Sequence, residues 1–145
     1  MIGTLALSSL MIGLTVSIHV AGLLLLARVL RHYAARMHRH NDAVHQTAAV
    51  VIVVLGLVAV HTVEIWAYAV LYLLLGAFGD IETALYFSTV TFTTLGYGDV
   101  VLDNGWRLLA AIEAANGLLL FGWSTAFLIT VIARVPILGS DKRSS

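Results

Sequence analysis

Three stretches of this chain, residues 5–30, 47–75 and 106–135, are apolar and long enough to cross a lipid bilayer. A crossing takes about 20 consecutive apolar residues as a helix. Composition agrees: 60% of the residues are hydrophobic and 11% charged, where soluble domains carry about 25% charged residues. The first stretch lacks a basic leading segment and a convincing cleavage site, so it reads as a retained helix and not as a signal peptide. There is no cysteine, which excludes disulfides and thiolate metal sites. A formal net charge of zero gives no sign of nucleic-acid binding. The expectation is one domain with no separate soluble module.

Placement of charge says more than its sum. The segment after the first stretch carries Arg28, Arg31, Arg36 and Arg39, and the C-terminal tail carries Arg134, Lys142 and Arg143. Between the second and third stretches stands only Arg107, among Asp80, Glu82, Asp99 and Asp103. The positive-inside rule puts the first loop and the C-terminus in the cytoplasm, with the N-terminus and the second connection outside. The first loop also holds His32, His38, His40 and His45. Metal binding and pH sensing are open to such a stretch, and a basic, solvated anchor to anionic head groups is the plainer reading.

Within the outer connection, residues 81–93 form an apolar stretch too short to span, which fits a re-entrant helix. Asp80 is placed to cap its N-terminus and Glu82 falls in its first turn, both favourable to the positive end of a helix dipole. The run Thr93-Thr94-Leu95-Gly96-Tyr97-Gly98-Asp99 follows. Gly96 and Gly98 can take positive φ without a Cβ penalty, and alternating handedness turns successive carbonyls to one side. A ring of such strands stacks carbonyl oxygens around an axis, with the Thr94 hydroxyl as one more layer able to replace an ion's water. Irregular backbone at membrane depth must be buried in protein or line a cavity.

This run, the short helix before it and the flanking spans resemble the potassium channel family, whose filter reads Thr-Val-Gly-Tyr-Gly-Asp. The resemblance covers residues 47–135 and leaves the first helix outside; that helix is open to roles as a peripheral clamp, an insertion device or a subunit contact. It implies ion sites at Thr94, Leu95, Gly96, Tyr97 and Gly98, with Asp99 at the outer mouth. Leu95 replaces the commoner valine, but its carbonyl would face the ion. Tyr86 stands where the family often has tryptophan, and its hydroxyl would bond Asp99. Val90 stands where some members carry a carboxylate, so that brace is absent. In the inner helix, Gly117 and Gly122 fall at hinge positions, with close packing the alternative at Gly122. Leu118, Phe121, Thr125, Ile129 and Ala133 become the cavity face and inner gate. Pro136 would end the helix.

Ionisable groups at membrane depth are expensive and invite functional readings. His61 and Glu64 share a face of the second helix, and His19 lies in the first. A proton-linked gating cluster, a metal site and plain interhelical hydrogen bonding all fit, the last being favoured. Glu113 and Asn116 lie in the outer half of the third helix, where Glu113 is expected to support the filter by accepting bonds from Thr89, Thr91 or Tyr97. No helix carries arginine at every third position, so a voltage-sensor stripe is absent.

The sequence thus predicts an all-α membrane protein: three transmembrane helices, a re-entrant pore helix and a selectivity-filter loop in a tetrameric pore. Residues 1–46 would form the first helix and basic loop, 47–136 the pore domain and 137–145 a short tail. The expected function is passive, potassium-selective permeation by a homotetramer in a bacterial inner membrane. No enzymatic activity, cofactor, metal other than permeant potassium, nucleic acid or soluble ligand-binding domain is expected. A non-conducting regulatory subunit, a weakly selective cation channel and an intramembrane metalloprotein are the alternatives.

Overall fold

The computed structural model describes residues 1–36, 43–103 and 105–133. His38, Arg39, His40, Arg134, Pro136, Lys142 and Arg143 lie outside the described residues. Four helices make up the described chain: α1 (Ile2–Arg36), α2 (Ala43–Leu74), α3 (Ile81–Phe92) and α4 (Arg107–Ala133). Three segments, Ile2–Tyr33, Val44–Leu74 and Arg107–Ala133, are long and apolar enough to cross a membrane. The 12 residues of α3 extend only about 18 Å at ~1.5 Å per residue, too short for a span. The described residues hold helices and no strand, and the chain is a multi-pass membrane protein.

Pairs of touching residues give the arrangement. His19 meets Glu64, and added Cβ atoms on Gly22 and Gly56 would run into Val60 and Leu26 respectively. So α1 and α2 are antiparallel and in close contact, as small residues permit between membrane helices. Thr15 meets Asn116 and His19 meets Trp123, so α1 runs parallel to α4. The first helix is therefore a full packing partner of both other spans, with Met11, Thr15, His19, Leu23 and Leu26 buried along one stripe. Leu23, Leu26, Val53 and Leu57 form a small apolar core at the end far from α3. Around α3 a larger core gathers Tyr68, Tyr72, Phe87, Phe92, Leu109 and Leu120.

The ends of the short helix are defined locally. Gly76, at φ 65°, lets α2 turn off: the Gly76 amide donates to the Leu73 carbonyl and the Ala77 amide to Tyr72, a Schellman closure. Asp80 then caps α3, its carboxylate accepting from the Thr83 amide at 2.8 Å. The Thr93 amide closes the last turn onto the Thr89 carbonyl at 3.1 Å.

The buried face of α4 is Leu109, Glu113, Asn116, Gly117, Leu120 and Ser124, a stripe of helical period. Here two expectations change places. Gly117, expected as a hinge, sits against α3: a Cβ there would collide with the Phe92 carbonyl oxygen. The bare backbone is what lets α4 approach the end of α3. Gly122, offered as the packing glycine, has nothing within 4 Å of where its Cβ would be. Gly117→Ala is accordingly expected to destabilise the fold by about 1–3 kcal/mol, the usual result of overpacking. Gly122→Ala should stabilise it by up to about 1 kcal/mol through helix propensity. Thermal unfolding of the two variants in detergent checks the contrast.

Candidate functional site: the loop after the short helix

The backbone of residues 94–98 alternates in hand. Thr94, Gly96 and Gly98 have φ of 60°, 59° and 78°, while Leu95 and Tyr97 do not take positive φ. Glycine adopts such angles freely, but a β-branched residue there is an outlier, and Thr94 is the one non-glycine with positive φ among the described residues. Strained backbone of this kind persists only where its surroundings hold it. The amides of Leu95 and Gly96 both donate to the Val90 carbonyl, at 2.9 and 3.2 Å, and the Thr94 amide donates to Thr91 at 2.9 Å. The loop thus turns its first donors back onto the orphan carbonyls of the α3 C-terminus. Among the described residues, the carbonyls of Thr94, Leu95, Gly96 and Tyr97 accept no hydrogen bond. Residues 93–99 are all exposed on this single chain.

At the far end of the loop, the Tyr86 hydroxyl donates to Asp99 at 2.6 Å, the bond expected from the sequence. It holds the Asp99 carboxyl below its ordinary range, and Asp99 in turn holds the Tyr86 phenol above its own. The Thr83 amide likewise keeps Asp80 low. A depressed carboxylate contributes stability that is present above the unfolded pKa and lost as pH falls through the folded one. A raised phenol contributes stability present below its unfolded pKa and lost as pH rises through the folded one. The latch is therefore intact from below the usual aspartate range to above the usual tyrosine range.

Glu113 lies behind α3, as expected, but with other partners. Ser88 donates to Oε1 at 2.6 Å and Tyr72 to Oε2 at 2.5 Å; Thr89, Thr91 and Tyr97 do not reach it. The Thr89 hydroxyl bonds Leu85 in its own helix. The inward face of α3 carries Ser88, so that residue meets α4. Polar residues at 72 and 88 inside apolar helices were the available signal for this network.

Between these groups run further buried contacts. Asn116 donates to the Thr15 hydroxyl at 2.7 Å and to Tyr68 at 3.4 Å. His19 and His61 turn Nδ1 to the two oxygens of Glu64, at 2.9 and 2.8 Å, and Nε2 of His61 lies 2.9 Å from the Ser124 hydroxyl. All the expected members of the His19–His61–Glu64 group are brought together. On the other side of α4, Leu118, Thr125, Ile129 and Ala133 share an exposed strip. Phe121 does not belong with them: its ring packs 4.2 Å from His61 and 5.8 Å from Phe92, centroid to centroid.

Ser88→Ala and Tyr72→Phe each remove a donor from a buried carboxylate and should cost about 1–3 kcal/mol. Because they share Glu113, the double variant should depart from additivity by about 0.5 kcal/mol or more, read from chemical unfolding. Tyr86→Phe should speed amide exchange at Gly98 and Asp99 about fivefold or more between pH 5 and 9, leaving α1 amides unchanged.

Residues 47–134 match a protein-family model described as Ion channel. A 61-residue stretch is 42% identical to the uncharacterized membrane protein YdjJ of Bacillus subtilis; it covers 41% of this chain and 17% of that protein. The chain therefore spans a minor part of that relative's length. No solved structure matches the chain at a significant level.

Proposed function

The chain belongs to the ion channel family, and we propose that it is the pore-forming subunit of a potassium-selective channel, four copies of which surround one conduction path. The alternation of hand at residues 94–98 carries this reading. With the first amides folded back onto α3, the unpaired carbonyls of Thr94, Leu95, Gly96 and Tyr97 are free to coordinate a dehydrated cation. Gly98 and Asp99 form the outer mouth, and the Tyr86–Asp99 latch holds it. A single loop satisfies no ion; a four-fold ring of them encloses one, and it would cover the residues that are exposed on the lone chain.

Each part of the fold has a task in this scheme. The C-terminus of α3 carries partial negative charge and aims at the centre of the bilayer, where an entering cation has lost water. Glu113, through Ser88, sets the depth of α3. Leu118, Thr125, Ile129 and Ala133 line the inner cavity and gate, with Gly122 as the place where α4 can bend. Residues 47–136 act as the pore unit and 1–46 as its N-terminal helix and basic loop. The charge distribution supports a first loop and a tail on the cytoplasmic side, by the positive-inside rule, and a bacterial inner membrane is the proposed location. Permeation is passive and involves no covalent chemistry.

The test is the reversal potential of the purified protein in planar bilayers, with potassium on one side and sodium on the other. A reversal close to the potassium equilibrium value, with the current abolished by Gly96→Ala, is the expected outcome. A reversal near zero would replace selectivity by general cation permeation. No current from a stable tetramer across a full range of pH and voltage would favour a non-conducting subunit.

A further inference from the structure

The Glu64 carboxylate is completely buried, and so is His19; the His61 side chain is 8% exposed. Among the described residues, no lysine or arginine pairs with Glu64. A buried carboxylate must be neutralised by a proton, a protonated imidazole or a metal ion. The ligand-type atoms of His19, His61 and Glu64 all lie within 4.8 Å of one another. We propose that these three side chains form an intramembrane site for a borderline divalent transition-metal ion, of the zinc or cobalt kind, separate from the conduction path and linking the first helix to the second.

The donor chemistry fits. Two imidazole nitrogens and one carboxylate oxygen, with a fourth position open, is an established donor set for zinc. Imidazole selects such ions over magnesium or calcium, which prefer oxygen alone. Metal–ligand bonds of about 2.0–2.2 Å place tetrahedral ligand atoms about 3.4 Å apart. The two nitrogen–oxygen pairs, at 2.9 and 2.8 Å, therefore need to open by about half an ångström to admit an ion, and no pair of ligand atoms is more than 4.8 Å apart, so the rearrangement toward tetrahedral ligation is small.

The tautomers fit as well. With hydrogen bonds alone, each neutral ring gives its Nδ1 proton to Glu64 and leaves Nε2 as a bare acceptor. For His19 that acceptor is buried and has no partner among the described residues. With the metal on Nδ1, the proton moves to Nε2 in both rings. His61 then donates to the Ser124 hydroxyl at 2.9 Å, the outer hydrogen bond that ligating histidines ordinarily make. His19 then has an N–H in place of a lone pair, and its ring lies 5.4 Å from that of Trp123 between centroids. Of the hydrogen bonds around the cluster, the His61–Ser124 bond is the one a ligating histidine would keep, while the two Nδ1–Glu64 bonds are the ones the ion would replace.

The consequence is a clamp. His19 belongs to α1 and the other two ligands to α2, while His61 also touches Ser124 and Phe121 of α4. An ion bound there ties the first helix to the pore unit.

The experiment titrates the full-length detergent-solubilised protein with cobalt(II), after replacing His32, His38, His40 and His45 by glutamine to remove the loop histidines. The expected result is one cobalt per chain with the intense visible d–d band of a four-coordinate site. Glu64→Gln and His61→Asn, each close in shape, should weaken binding tenfold or more while helix content and oligomeric size stay unchanged. Absence of the band at stoichiometric cobalt would overturn the proposal, as would a band that persists in Glu64→Gln. If both variants lose helix content, His19→Gln provides the deciding titration, and full-strength binding by that variant would overturn the site. Because the readout is metal binding, a channel that fails to conduct leaves this result standing.

Discussion

A helix end packed against protein must have its last carbonyls answered by neighbouring groups, since four of them have no partner within the helix. That constraint organises everything around α3. Its end is closed from two directions: the loop that follows returns the amides of Thr94, Leu95 and Gly96 to Thr91 and Val90, and α4 brings bare backbone at Gly117 against Phe92. Its side is held by the Ser88–Glu113 bond, and its start by Asp80. A twelve-residue helix has little stability of its own in isolation. What keeps it in place is a sheath of three spans built to receive it.

The polar residues of the sheath follow from the same requirement. In lipid, helices gain little from burying apolar surface against one another, so packing and hydrogen bonds carry the association. The buried polar residues form three hydrogen-bonded groups: Glu113 with Tyr72 and Ser88, Asn116 with Thr15 and Tyr68, and Glu64 with His19 and His61, the last bonded to Ser124. Each span contributes to them, and α1, which lies outside the matched residues 47–134, supplies Thr15 and His19. These groups explain why the first helix is held to the other two: its Thr15 bonds Asn116 of α4 and its His19 bonds Glu64 of α2.

What the sequence disclosed was whatever depends on neighbours along the chain. Lengths of apolar segments located the spans; Asp80 with Glu82 located the start of α3; the two glycines predicted positive φ at 96 and 98. The Tyr86–Asp99 bond was visible because a short, regular segment joins the two residues. What stayed hidden depends on how helices are rotated about their axes. Whether Glu113 meets Ser88 or Thr89 is a difference of about 100°, which periodicity in a nearly uniform apolar helix does not resolve. Phe121 stands three residues from exposed Leu118 and three from buried Ser124, on the border between faces, and stacking on His61 decides its side. Thr94 gives no local sign of positive φ, since its side chain disfavours it. The two glycines of α4 are identical as letters, and only the approach of Phe92 tells them apart.

The contact between α1 and α2 has a mechanical meaning. Gly22 receives Val60, and one turn along, Gly56 receives Leu26, so each helix is both key and lock. A seam of uniform leucines tolerates sliding, because a neighbouring register looks much the same. Here an axial shift of one residue drives a branched side chain against backbone at two places at once. The α1–α2 pair therefore has no nearby alternative register.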